Sequence, residues 1–598
     1  MTELRDRTRA RESGRRQRRR RNLLIGLGVG FLILLALGLL AGKLLSSGLN
    51  AKDSMSAAMA QMDSVTAAVT AGDPAAADAA LGVMETELTA ASTEVDDAAW
   101  RTVDWLPVVG DNIDAVRAAA STGRSLIADL ARPAMPLVLG GLKPVNGAFD
   151  VEALRQLATL VEEAGPAVAE HAQALAEVDR SKLLGPVEDG IAKLDGVMAT
   201  VSPILEDGGG FLSVLPAALG ADGPRDYLLM FQGNSEARSL GGNPAVFLQI
   251  HVEGGAISIA GYANSSDFHS DRPKPIIDLD PEAVAIYGDK IARWTPDVTM
   301  PADFPTSVAI VRAFWAESFG TQVDGVLSVD PVALSYILGA TGPITLTSGD
   351  TLSAENAASL LLNEVYFRYE DPVAQNAFFA DASGRVFTAL TGGTGSPLAL
   401  VGALQRAAGE GRILYLPGDA EEAALIDGTR VSGSMPVDNA DGTVIGVFAN
   451  DNTGSKKSYY LDMSIDLSST RCEVPDAATY SGSVTLTSTL TVEEAARLPY
   501  YITGPYYAPT DISTYMVLYG PVGGQLEEVL VDGVPAPILG QGVHLGRPAV
   551  KVEVLNSPLS SHVVDFTFSS PDASATAPSV WHTPMTRETP VKVQDTCG

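Results

Sequence analysis

VDGVLSVDPVALSYILGATGPITL, residues Val323–Leu346, reads as a strand, a helix and a second strand in quick succession. The strand covers Gly325–Val329, the helix Pro331–Leu338, and the second strand Ile344–Leu346. Ser353 then caps a further helix, in which Ala357, Leu360, Leu361 and Val365 share one face. Upstream, a helix begins near Pro305 and covers Val308–Phe319, and Tyr227–Phe231 is a short apolar strand. Val246, Leu248, Ile250 and Val252 alternate with Phe247, Gln249 and His251, and the turn at Glu253–Gly255 leads to Ile257 and Ile259, which completes a hairpin. Strands and helices in this order predict an α/β layered domain over residues 222–455.

On either side the pattern changes. Residues 50–205 are alanine-rich, with Met55, Met59, Met62, Val65 and Val69 forming a one-sided apolar stripe. A break at Gly72–Asp73–Pro74 starts a helix running to about Trp100, and further helices cover 112–130, 150–176 and 186–203. This is an all-α region. From 458 to 598 the helical period disappears. Tyr460–Leu467, Ser483–Leu490, Thr514–Leu518, Gln525–Val531, Val550–Val554 and Val563–Phe568 read as strands, which suggests a β-rich, sandwich-like C-terminal domain.

Charge is distributed unevenly along the 598 residues. Residues 1–22 hold ten arginines against Glu3, Asp6 and Glu12, a basic tail of +7, while the whole chain is −31 and the remainder therefore −38. Leu23–Gly42 follows with no charge, long enough at about 1.5 Å per residue to cross a bilayer core of about 30 Å. The expectation is a transmembrane helix at 23–42 in the plasma membrane, with a cytoplasmic tail at 1–22 and an extracytoplasmic bulk. A cleaved signal peptide is the rival reading, disfavoured by the length of the run and by the lack of an A-x-A site. Gly26/Gly30 and Gly38/Gly42 offer small-residue pairs for self-association of that helix. Nucleic acid is excluded as a partner, because a charge of −38 repels a phosphate backbone.

Catalytic motifs are missing from the sequence: no G-x-S-x-G elbow, no H-E-x-x-H, no phosphate-binding G-x-x-x-x-G-K and no Ca2+-loop consensus. The metal candidates are Asp267 and Asp271, in a run with His269 that stands against the plainer reading of a solvated loop. The two cysteines, Cys472 and Cys597, either form a disulfide in an oxidising compartment or are unrelated buried thiols. Arg225, Arg238, Arg272, Arg293, Arg312, Arg368 and Arg385 all fall in the α/β segment, and convergent guanidinium forks would suit a diphosphate.

RDYLLMFQGNSEARSLGG, DFPTSVAIVRAFWAESFG, VDGVLSVDPVALSYILGATGPITL, LSAENAASLLLNEVY and DNTGSKKSYYLD occur in that order and together resemble the bacterial domain-of-unknown-function family numbered 4012, DUF4012. That resemblance implies a membrane-anchored envelope protein without an established activity. A more distant likeness is to the LytR-CpsA-Psr family, whose members transfer glycopolymers from polyprenyl-pyrophosphate to the cell wall with arginines and Mg2+. It implies Arg238 and Arg368 as diphosphate ligands, with Asp267 near the metal. The sequence departs from that family where its Pro-Arg-Asp reads Tyr262–Ala263–Asn264, and where Tyr369 or Glu370 replaces a second arginine.

The leading expectation is a non-catalytic envelope protein engaging cell-wall glycopolymer or its assembly machinery. The alternatives are a LytR-CpsA-Psr-like phosphotransferase, which would need Mg2+ and a polyprenyl-linked glycan, and a protein-binding envelope scaffold.

Overall fold

The computed structural model describes residues 39, 40 and 42–595, apart from 142, 146, 207, 270, 394, 441, 472–476 and 572–575. They fall into two compact units. One comprises the chain up to Pro136 with Leu160–Leu205, the other Leu137–Thr159 with the chain from Glu206 onward.

The described residues of the first unit form helices joined by turns. Gly72, at φ +67°, ends the helix Met62–Ala71, and Asp73 accepts from the amides of Ala75 and Ala76 to open Pro74–Val95. Leu81, Met84 and Leu88 of that helix pack with Ala58 and Ile127. A Cβ at Gly123 would lie 2.9 Å from a Leu88 methyl, so glycine is what lets the helix Val109–Ser125 approach so closely.

Two expectations are overturned here. No helix among the described residues is long and apolar enough to cross a membrane. The helices that are described interleave their apolar stripes with charge, as Asp78, Glu85, Glu87 and Glu94 do along Pro74–Val95. The expected span at 23–42 lies outside the described residues except for Leu39, Leu40 and Gly42. Among the described residues the fold is therefore a mixed helix-and-sheet architecture with several sheets and without a membrane-spanning helix. The single-pass plasma-membrane placement is contradicted by the same finding.

The second unit is built on sheets. Strands β1 (Arg225–Arg238), β2 (Gly241–Glu253), β3 (Ala256–Asn264) and β4 (Gly325–Val329) precede a two-strand ladder, β5 (Ile344–Thr345) and β6 (Thr351–Leu352), and then β7 (Ile413–Pro417). The first sheet has the order β3-β2-β1-β4-β7 and is mixed: β1 and β4 run parallel and the other pairs antiparallel. A parallel pair requires a crossover. Here it includes the helix Phe304–Phe319, capped by Asp303 through the Thr306 amide.

The remaining strands form a two-sheet sandwich: β8 (Val444–Asp451), β9 (Leu461–Ser469), β10 (Ala478–Ser488), β11 (Ile512–Tyr519), β12 (Gln525–Val531), β13 (Val534–Pro535), β14 (Gly540–His544), β15 (Arg547–Asn556), β16 (Ser561–Ser570), β17 (Ser579–His582) and β18 (Val591–Asp595). One sheet has the order β13-β12-β16-β10-β9-β18, the other β14-β15-β11-β8-β17. Val484, Leu486 and Phe566 of the first face Met516, Val550 and Val552 of the second across a common core.

The second sheet is covered on its other side as well. Phe448, Val517, Tyr519 and Ala549 join Leu228, Met230, Phe247 and Phe304 in a core continuous with the mixed sheet. This explains two burial patterns. Every residue of β8 is buried, whereas β9 and β10 alternate buried and exposed or half-buried positions.

Local details differ from the sequence reading in instructive ways. Ser353 does not cap the next helix through its hydroxyl, which donates to Glu355; its carbonyl accepts from Ala357 instead. The segment continues as Ala357–Ser359, a wide π turn at Leu360–Glu364 and Val365–Arg368. β1 also runs seven residues past Phe231, through Gln232–Arg238.

Candidate functional site

That extension of β1 places Gln232, Asn234, Ser235, Glu236 and Arg238 in the interior. Buried polar groups need partners, and Gln232, Glu236 and Arg238 have them. Arg238 donates to Glu236 at 2.8 Å and to Asp297 at 3.0 Å, and also to the carbonyls of Ala237 and Pro296. The second oxygen of Glu236 accepts from Asn243 at 2.9 Å and from Lys456 at 3.4 Å. Burial opposes ionisation of Glu236, but Arg238 and Lys456 outweigh it and hold the carboxyl below its ordinary range. Arg238 is thus neutralised, and its side chain is only 4% exposed.

Arg368 lies at the end of the helical segment Val365–Arg368. It is paired with Asp350 at 2.6 Å and Glu364 at 2.9 Å. Each of the two arginines is held by its own pair of carboxylates, and none of those carboxylates is common to both. Asp267 accepts from the amide of Asn264 at the end of β3, and Asp271 adopts φ +59°. No group of three or more metal-ligating side chains occurs among the described residues. Cys472 and Cys597 both lie outside the described residues, so their expected pairing has no geometry here; Arg471 and Asp595 are ion-paired at 2.6 Å.

A different constellation forms where the second sandwich sheet runs out from under its cover. Two Pro-Tyr-Tyr triplets, Pro499–Tyr501 and Pro505–Tyr507, occupy one loop. Residues 451–457 (DNTGSKK) clamp that loop in place. The Lys456 amide donates to the Ile502 carbonyl at 2.8 Å, and Lys457 donates through Nζ to the Ala508 carbonyl at 2.9 Å. The Lys456 ammonium lies 5.3 Å from the Tyr366 ring centroid and 5.2 Å from that of Tyr501, and these two rings stack at 5.5 Å. Gly454, at φ +58°, lies under the Tyr506 ring, where a Cβ would come within 3.1 Å of it. The clamp folds because Asp451, buried at the end of β8, accepts from the Thr453 and Ser455 amides. Burial and the nearby Glu236 push the Asp451 carboxyl up to about 6.

Next to the clamp, Asn452 donates to the Tyr507 hydroxyl at 2.8 Å and to Ser513 Oγ at 3.0 Å. Ser513 and Tyr507 both donate to Glu553 Oε1, at 2.6 Å and 3.4 Å. Glu553 is the register partner of Tyr515, and the Lys551 ammonium lies 5.3 Å from the Tyr515 ring centroid. Burial raises the Tyr515 hydroxyl, helped by Glu553 and Tyr507, and burial lowers the Lys551 amine. Tyr506 is 77% exposed and Tyr500 73%; Tyr507 and Tyr515 are half-buried, and Glu553 is exposed. The result is a shallow face of aromatic rings around one fixed amide and one fixed carboxylate.

This site was not singled out in the sequence, although the paired Pro-Tyr-Tyr triplets were a usable signal. No curated protein matches the chain. Among solved structures the chain is similar to a "putative nutrient binding protein" of Legionella pneumophila subsp. pneumophila, at 12% identity and a TM-score of 0.15, over 22% of this chain and 44% of that one. That likeness carries no argument about fold or function. The family comparison is specific to one segment: residues 222–366, from the start of the mixed sheet to Tyr366 under the tyrosine loop, match the family described as "Protein of unknown function (DUF4012)".

Proposed function

We propose that this protein binds a glycopolymer without transforming it, and that the tyrosine face beside Asn452 and Glu553 is where the sugar sits. The carrying observation is the pairing of exposed aromatic rings with polar groups already fixed by one another. A pyranose has an apolar C–H face and a hydroxyl edge. Ring faces complement the first by dispersion, and oriented amide and carboxylate groups complement the second. Preorganisation favours such a site, because Tyr507, Ser513 and Glu553 need no rearrangement to present themselves.

The phosphotransferase alternative finds no support in this geometry. Arg238 is spent on Glu236 and Asp297, Arg368 on Asp350 and Glu364, and a diphosphate would have to displace a carboxylate at each. The test is affinity electrophoresis of the full chain through gels containing soluble polysaccharides, comparing wild type with Tyr506→Ala. The expected result is retardation of wild type by at least one polymer and its loss in the variant. Equal migration of the two in every gel would remove the proposal.

A further inference from the structure

We infer that the sugar bound at the tyrosine face is a hydroxyl-rich, non-anionic one, and that Glu553 selects it. The inference rests on the glycan-binding reading above and narrows it. Asn452 has two amide protons, shared among Tyr507, Ser513 and Glu553 Oε1. The single hydroxyl protons of Ser513 and Tyr507 are both directed at Glu553 Oε1. The donors of this group are therefore consumed internally. Glu553 Oε2 takes no hydrogen bond among the described contacts, and its residue is exposed. What the site offers a ligand is an acceptor carrying negative charge.

The nearby cations do not reverse this. Lys551 is drawn over the Tyr515 ring, Lys457 donates to the Ala508 and Asp511 carbonyls, and Lys456 is held by Glu236 and two tyrosine rings. An incoming phosphate or uronate would meet the Glu553 carboxylate in a chain already at −31. A sugar hydroxyl or a sugar ammonium would donate to Oε2 and lay its C–H face on Tyr506 or Tyr515.

The experiment runs the full chain against three soluble probes at low and moderate salt: a neutral glucan, a chitosan oligomer and polygalacturonate. Wild type should bind the first two and bind polygalacturonate at least tenfold more weakly. Glu553→Gln, which keeps the shape and an acceptor, should weaken chitosan binding about tenfold while changing glucan binding less than about threefold. Tyr506→Ala should weaken both. If polygalacturonate binds as tightly as the neutral glucan, the selectivity inference fails while the glycan-binding reading stands. If wild type binds none of the three, both fail, and the tyrosine face is left to a protein partner.

Discussion

Tyr519 and Tyr515 stand on the same face of β11, four residues apart, and do opposite things. Tyr519 is fully buried, with its hydroxyl bonded to Tyr287 at 2.9 Å and to His544 at 2.6 Å in the core shared with the mixed sheet. Tyr515 is half-buried at the uncovered end, among Tyr507, Lys551 and Glu553. Residue type and strand register are the same; only the cover differs. One end of the face serves as core and the other is left for recognition, so coverage by a second layer assigns the role of each position.

The largest loss of stability is expected in the buried network at the end of β1. Arg238→Ala leaves Glu236 and Asp297 buried without their guanidinium, and should cost about 3–5 kcal/mol of unfolding free energy in a urea titration. A loss below about 1 kcal/mol would mean that the buried network contributes little to stability. Within the sheet, Phe448→Ala under the cover should cost about 3–5 kcal/mol, while Leu555→Ala at the open end, 49% exposed, should stay within about 0.5 kcal/mol. Similar losses at the two sites would erase the distinction between the ends.

Asp451 sharpens the boundary between them. Its folded-state carboxyl stands at about 6 against an ordinary 3.8. A raised acid binds its proton more tightly in the folded state, so its contribution is full below about pH 4 and is lost as pH rises through 6. That contribution is bounded at about 3 kcal/mol. Glu236 titrates in the opposite sense, because its carboxyl is lowered. Melting curves of Asp451→Asn against wild type isolate the Asp451 part: the variant should gain relative stability from pH 4 to pH 7. A stability difference that is flat with pH would show that the carboxyl is not raised. A smaller loss than at the buried sites is expected at Gly454→Ala, where a left-handed backbone and the Tyr506 ring together cost about 1–2 kcal/mol. Polysaccharide binding should fall more than the Tm does, since the ring displaced belongs to the proposed site.

Much of the local structure was legible because periodicity reports it directly. Gly325–Val329 is a strand as read, and the Gly72–Asp73–Pro74 break separates two helices as read. The reading failed where burial came from elsewhere. The strand read from the sequence stops at Phe231, yet Gln232–Arg238 continues it and is interior because β2, the 451–457 segment and the loop carrying Asp297 close over it. β7 and β8 went unread for a related reason, being short apolar runs without alternation.

Residue content and order alone determined the chain's acidity, its lack of the common catalytic signatures, and the alternating strands of the outer sandwich sheet. A side-chain pattern states which face of an element is apolar, but not what lies opposite that face. Only the tertiary structure turned Arg238 inward, onto Glu236 and Asp297. It alone brought Asn452 to Glu553 across 101 residues of chain. Such a meeting depends on how layers stack, and stacking is a property of the packed whole.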